Sequence, residues 1–347
     1  MLVIRPAHHD DLDALMALAT EATTGITTLP SDREFLSRRV TRSRRNFEDM
    51  PDRPQGEDYL FVLEDTDIGR VVGTSAVMSK VGGFKPFYAY RVVPRIHESM
   101  MLNVRKEIQE LQLVRKHDGP CEIGSLFLHG PHRKGGGGRL LSLSRFLFMA
   151  EHPAAFESVV IAEMRGVISK DGHSPFWEAV GRHFFDIDLA QADYLSMVNK
   201  QFIAELMPKH PIYLPLLPRE AQIVMGEVHE ETRAALKLLQ DEGFKPTGMI
   251  DIFEAGPIMG CRLPEIRSVR ESTHAVVAEI ADRMSESAPF LVANTAWDFR
   301  SCTAVLEEVE LNRIRISHQT AAALQIQKGD SVRYVSPHPT KTVPPVK

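Results

Sequence analysis

The chain has 347 residues, enough for two domains, and is 43% apolar and 25% charged, which excludes a disordered, fibrous or membrane-embedded protein as its main state. Lys and Arg number 41 against 46 Asp and Glu, a net charge of −5. No overall basic field is available to hold a nucleic-acid backbone, and no nucleic-acid partner is expected.

The N-terminus, Met1-Leu2-Val3-Ile4-Arg5-Pro6, has no basic region leading into an apolar stretch, and no run approaches the length of a membrane span, so a cytoplasmic protein without a membrane partner is expected. The isolated cysteines Cys121, Cys261 and Cys302 fit a reducing compartment. Leu2 to Arg5 reads as a strand ended by proline, and Leu12, Leu15, Met16 and Ala19 repeat at helical spacing. A second helix is expected over Arg33 to Phe47, with Asp32 at its start and Arg38, Arg39, Arg42, Arg44 and Arg45 forming a solvated basic face.

Tyr59 to Leu63 and Arg70 to Lys80 predict a hairpin, Gly82-Gly83 breaks the pattern, and a polar stretch follows. Cys121 to His129 reads as a strand, then come a glycine-rich turn and an apolar helix from about Gly138 to Ala150. Val159 to Ala162 is apolar enough for a central strand. Ser174-Pro175 has the form of an N-cap and first helical residue for Phe176 to His183. A helix over Arg233 to Glu242 is expected to end at Gly243, and Met249 to Phe253 to form a strand.

The expected division is a large mixed α/β domain over 1–257, a small β-rich module over 258–336 and a flexible tail over 337–347. In the module, strands are expected at Phe290 to Ala293, Thr303 to Glu307, Arg313 to Ser317 and Ser331 to Val335, around a helix at Gln319 to Leu324.

The most informative stretch runs from Cys121 through Arg133-Lys134-Gly135-Gly136-Gly137-Gly138 to Leu141: strand, glycine turn, helix. Glycines let backbone N–H groups converge, and the helix start adds its unsatisfied N–H groups and positive dipole end, which together suit a pyrophosphate. Neither a Walker loop nor a dinucleotide fingerprint matches. Arg133, Gly136 and Gly138 satisfy R-x-x-G-x-G, which resembles the acyl-CoA loop of the N-acetyltransferase-like (GNAT) superfamily. The order of elements is similar to that α/β fold, in which two central strands splay apart around the pantetheine.

Longer stretches resemble one family within it, the bacterial arginine N-succinyltransferases. They include Ser125-Leu126-Phe127-Leu128, Leu141 to Ala150, Ala162-Glu163-Met164-Arg165-Gly166-Val167, Ser174-Pro175-Phe176-Trp177, Phe202 to Tyr213, Asp251-Ile252-Phe253 and Leu291-Val292-Ala293-Asn294. The resemblance implies succinyl transfer from succinyl-CoA, a co-substrate and not a permanent cofactor, to the α-amino group of L-arginine, the first step of the arginine succinyltransferase route. Ornithine or another amino acid as acceptor, and a non-catalytic CoA-binding subunit, are the alternatives. A homo-oligomer or a heteromer with a homologous subunit is expected.

His229, in Val228-His229-Glu230-Glu231-Thr232, matches the family segment to which proton donation to the departing thiolate is attributed; its plain alternative is a helix-start histidine. Leu126 matches the leucine implied to contact succinyl-CoA. Strict alternation would put Glu122 on the same strand face as Leu126, where it could deprotonate the substrate ammonium, pair with it, or be a surface charge. Arg165 and Lys209 are candidates for the succinyl carboxylate, Glu163 and Glu205 for the arginine guanidinium, each also able to form a structural ion pair. Phe176, Trp177 and Tyr213 read as core. No metal spacing is present, and direct attack of the amine needs no cysteine nucleophile.

Overall fold

The computed structural model describes residues 1–22 and 29–339, and its described strands join into one sixteen-stranded sheet. The chain opens with β1 (Leu2–Pro6), α1 (Leu12–Glu21), α2 (Arg33–Asp49), and the hairpin β2 (Asp58–Asp65) and β3 (Arg70–Met78). Two long strands follow, β4 (Gly82–Ser99) and β5 (Val104–Asp118), then β6 (Cys121–Leu128), α3 (Gly137–Glu151) and β7 (Val159–Glu163). Short helices α4 (Pro175–Ala179), α5 (Gly181–Phe185), α6 (Leu189–Val198) and α7 (Gln201–Leu206) lead to β8 (Ile212–Tyr213), α8 (Arg219–Val224), α9 (Arg233–Asp241), β9 (Lys245–Ile250) and β10 (Pro257–Arg262). After α10 (Arg267–Arg270) come β11 (Thr273–Ala281), β12 (Phe290–Asn294), β13 (Ser301–Ala304), β14 (Glu307–Glu310), β15 (Arg313–Ser317), α11 (His318–Leu324) and β16 (Ser331–Val335).

Local chemistry explains the ends of several elements. Asp32 caps α2 by accepting from the Phe35 N–H at 3.0 Å. Ser174 accepts from Trp177 N–H at 3.3 Å with Pro175 in the first turn of α4. Gly243, at φ 99°, ends α9 while Phe244 N–H returns to the Leu239 carbonyl.

The sheet has an apolar layer on each face. On one, α3 buries Leu140, Leu143, Leu147 and Phe148 against Tyr59, Phe61, Ile123 and Phe299. On the other, α1 and α2 bury Leu15, Leu18, Leu36 and Val40 against Leu60, Val62 and Phe127. Alternate residues of β2 thus serve opposite layers, the period-two pattern of a strand covered on both faces.

The C-terminal strands continue the same sheet, because β1 pairs with β13 on one side and β2 on the other. The expected boundary after Pro257 falls at the first residue of β10, which pairs with both β7 and β9. Of the tail, Pro337 lies within the described residues and its carbonyl accepts from Arg139 Nη1 at 2.9 Å; 340–347 lie outside them.

Several expectations need correction. The polar stretch after Gly82-Gly83 is the β4–β5 hairpin, whose outer half is exposed on both faces and therefore carries charges where a half-buried strand would alternate. The strand expected at Met249 to Phe253 ends at Ile250, since Asp251 Oδ1 accepts from the N–H groups of Phe253 (2.8 Å) and Glu254 (2.7 Å) and turns the chain. Val180 splits the expected helix over Phe176 to His183 into α4 and α5. Phe176 and Trp177 are core, but Tyr213 is exposed on the edge strand β8. The basic face of α2 is not wholly solvated: Arg39 is buried in a fork on Asp58, while Arg38, Arg44 and Arg45 pair with acids on the helix surface.

Candidate active site

β6 and β7 run parallel, but their pairing is confined to Cys121↔Val160 and Glu122↔Ile161. Beyond that point β6 stays with β3 as far as Gly73↔Leu128, so its other edge faces a gap. Ser125 sits at φ 50°, and the β3 register slips by one residue beside it. This β-bulge reverses the alternation of the strand. Leu126 therefore packs with the α3 layer, whereas Glu122 and the Ser125 hydroxyl face α2, where Arg39 Nη1 donates to Ser125 Oγ at 2.9 Å. The expectation that Glu122 and Leu126 share a face is thus overturned by one extra residue in the strand.

A cavity of about 510 Å³ opens where the two strands part. Glu122, Glu163 and Arg165 line it together with Arg39, Asp58, Asp193, Lys200, Asp251 and Glu254, contributed by α2, the start of β2, α6, the α6–α7 turn and the turn after β9. Of the six acids, Asp58, Asp193 and Glu254 are buried, Glu122 and Asp251 are half-buried and Glu163 is open to the cavity, and they differ in charge environment. Burial raises the Glu122 carboxyl against the opposing pull of Lys200 and Arg39. Burial, then the neighbouring Glu122 and Asp251, push Glu163 well above the usual range. Asp193 is pushed up to about 8 by burial and by Asp251, and Glu254 is raised by burial and by Asp193. Six carboxyls gathered on one cavity, three of them buried, are costly to fold and are the pattern of a site that receives a cation.

The wall behind Arg165 is set by close backbone approach. A Cβ on Gly256 would lie 1.9 Å from the Met164 carbonyl oxygen, and one on Gly166 2.2 Å from that of Glu254. Gly256→Ala is expected to lower the unfolding free energy by at least about 1–3 kcal/mol, read by chemical denaturation, because the backbone itself would have to move.

Two models for arginine N-succinyltransferase beta subunits match this chain, one over residues 2–268 and the C-terminal domain model over 273–336. The chain belongs to the arginine N-succinyltransferase beta subunit family. The arginine N-succinyltransferase subunit beta of Pseudomonas aeruginosa is 43% identical over 335 residues, covering 96% of this chain and 98% of that one. The arginine N-succinyltransferase of Citrobacter koseri is 42% identical over 337 residues, covering 96% and 97%. A solved structure, that of arginine/ornithine succinyltransferase subunit AI from Pseudomonas aeruginosa, superposes with a TM-score of 0.90 at 35% identity, over 98% of this chain and 99% of that one.

In this arginine N-succinyltransferase family member the glycine turn leads from the gap to α3. Gly135 and Gly136 have φ of 88° and 89°, with open space where a Cβ would stand, and Gly136 is the N-cap of α3. Gly138 lies one residue inside the helix, and Arg133 Nε donates to the Leu128 carbonyl at 3.1 Å, bracing the turn. His229 lies behind Arg165, to whose carbonyl its N–H donates at 2.9 Å. Its Nδ1 accepts from Glu231 N–H at 3.3 Å and its ring also bonds the Ile168 backbone. Burial and the Arg165 guanidinium push its imidazole below the usual histidine range.

Glu205 and Lys209 are not brought to the cavity: Glu205 is exposed and accepts from Gln201 Nε2 at 2.7 Å, and Lys209 is exposed in the turn after α7. The cavity residues that sequence reading missed are Arg39, Asp58, Asp193, Lys200, Asp251 and Glu254. Of these only Asp251 stood in a family-like segment. Cys121 is fully buried against Met149, and burial drives its thiol well above the usual range, which disfavours a nucleophilic thiolate. Among the described residues no helix is long and apolar enough to cross a membrane.

Proposed function

We propose that this chain transfers the succinyl group of succinyl-CoA to the α-amino group of L-arginine, giving N2-succinyl-L-arginine and CoA. The observation that carries the reading is the acid-lined cavity at the parting of β6 and β7, with the glycine turn following the far end of β6, in a member of the arginine N-succinyltransferase family. Pantetheine would lie along the unpaired edge of β6 near Leu126, with the pyrophosphate on the backbone of Gly135 to Gly138 and the start of α3. Arg133 braces that loop, and Arg165 supplies a cation for the succinyl carboxylate.

Of the carboxyl pair, Glu122 is the one faced by cations and Glu163 the one faced by further acids, so Glu122 ionises first and is the base. It takes a proton from the substrate ammonium. The neutral amine then attacks the thioester carbonyl, the C–N bond forms, and collapse of the tetrahedral adduct breaks the C–S bond. The departing thiolate takes up a proton, the step for which His229 is the candidate donor.

The test is release of CoA thiol by the purified chain with succinyl-CoA or acetyl-CoA as donor and L-arginine, L-ornithine or no acceptor. Release requiring both succinyl-CoA and arginine is the expected result. A second reading is favoured by the word subunit in the names of two relatives: a chain that binds CoA and turns over only with a homologous partner. Succinyl-CoA binding without thiol release, with activity restored by a second polypeptide, would select it.

For His229, Asn keeps a hydrogen-bonding side chain but cannot relay a proton. His229→Asn is expected to lower kcat by about 100-fold with little change in succinyl-CoA affinity. Retained turnover would reduce His229 to a positioning residue for the Arg165 loop.

A further inference from the structure

The cavity holds two carboxylate oxygens that nothing among the described residues satisfies. Asp193 Oδ1 and Glu254 Oε1 are buried, line the cavity, and have no hydrogen-bond partner among the described residues. Their side chains are only 6% and 5% exposed. Buried carboxylate oxygens normally find donors, so two adjacent orphans point to donors supplied by a ligand.

Their surroundings fix the kind of ligand. Glu254 is anchored by its other oxygen, which accepts from Gly166 N–H at 2.9 Å, and Asp251 is committed to the turn it caps. Arg165, whose charge reaches both acids, hydrogen-bonds neither: its Nη1 meets Glu231 at 3.5 Å and its buried Nε has no partner among the described residues. The acids also form a sequence through the cavity: Glu163 neighbours Glu122 and Asp251, while Asp251 in turn neighbours Asp193 and Glu254. Glu122 and Glu163 thus stand on the parting strands, and Asp193 and Glu254 on α6 and in the turn after β9.

Building on the succinyl-transfer reading, we propose that Asp193 and Glu254 form the subsite that grips the guanidinium of the acceptor, holding its far end while its amino group reaches Glu122. A guanidinium offers five N–H donors in one plane, enough for both carboxylates at once, whereas a primary ammonium offers a single charged point. Burial of the two acids side by side keeps them from being fully ionised in the empty cavity, and a bound cation relieves their mutual repulsion. The pair thus selects by charge and by shape, and it acts on binding and not on the chemical step.

The experiment compares Asp193→Asn with the unaltered chain in steady-state succinyl transfer. The expected result is a KM for arginine raised about 10- to 100-fold, a KM for succinyl-CoA unchanged and kcat within about threefold. An unchanged KM for arginine in a variant that turns over would overturn the subsite. Should Asp193→Asn not fold, competition on the unaltered chain decides: agmatine, which keeps the guanidinium and lacks the carboxylate, should compete with arginine at least tenfold better than norvaline, which lacks the guanidinium. Equal competition would overturn the proposal. No transfer to arginine by the unaltered chain is a different outcome: it removes the reaction assignment, while agmatine protection against thermal unfolding, or its lack, still decides the subsite.

Discussion

Glu122→Gln is expected to lower kcat by about 100- to 10,000-fold while succinyl-CoA binds as before. Glutamine preserves the shape of the side chain and its place at the parting of the strands but cannot accept the ammonium proton. The pH profile supplies a second check. Burial raises the Glu122 carboxyl above the usual range, so acidification protonates the base early and kcat/KM falls on the acid side at a higher pH than an ordinary glutamate would give. That limb should be missing from the variant. A Gln variant with full turnover would transfer the role to Glu163 or to solvent.

Arg39→Met is expected to lower the unfolding free energy by about 3–5 kcal/mol. Arg39 Nε and Nη2 grip Asp58 at 2.7 and 2.9 Å, with exposures of 6% and 1%, so removing the cation leaves a buried carboxylate held, among the described residues, by Arg42 from the rim. Burial alone would raise the Asp58 carboxyl, but Arg39 and then Arg42 outweigh it and hold it below its ordinary value. A group lowered in this way contributes its stability at neutral pH and loses it as the pH falls through the folded value. The gap between the two proteins in denaturant titrations should therefore be widest near neutrality and narrow on strong acidification. Because Arg39 also holds Ser125 at the bulge, activity should fall further than the loss of folded protein explains.

The parts of this protein legible in its sequence are those set by neighbours in the chain. The glycine turn, the caps Asp32 and Ser174, the end of α9 and the apolar α3 each follow from residues within a few positions of one another. The cavity follows a different rule. Asp193 is one polar residue in the mostly apolar α6 and Lys200 follows that helix, and only the fold brings both onto one cavity with the end of β7. Arg39 looked like one more member of a basic helix face; Asp58, nineteen positions on, makes it a buried ion pair. The bulge at Ser125 was equally hidden, since a single left-handed residue leaves no pattern except the mismatch of faces it creates.

The position of β1 bears on how the chain comes to be folded at all. Its inner edge meets β2 within the first 65 residues, but its outer edge pairs with Ser301 and Cys302, close to the end of the chain. During synthesis the first strand therefore waits with one row of backbone donors and acceptors open until nearly everything else has been made. A polypeptide interrupted after α10 would keep the whole cavity and glycine turn in its sequence yet present a bare, apolar sheet edge to any other chain in the same condition. Separation of the residues after Arg270 from the rest is thus expected to end in association between incomplete chains instead of a smaller working protein, and the succinyl-transfer apparatus becomes available only once β1 and β13 have met.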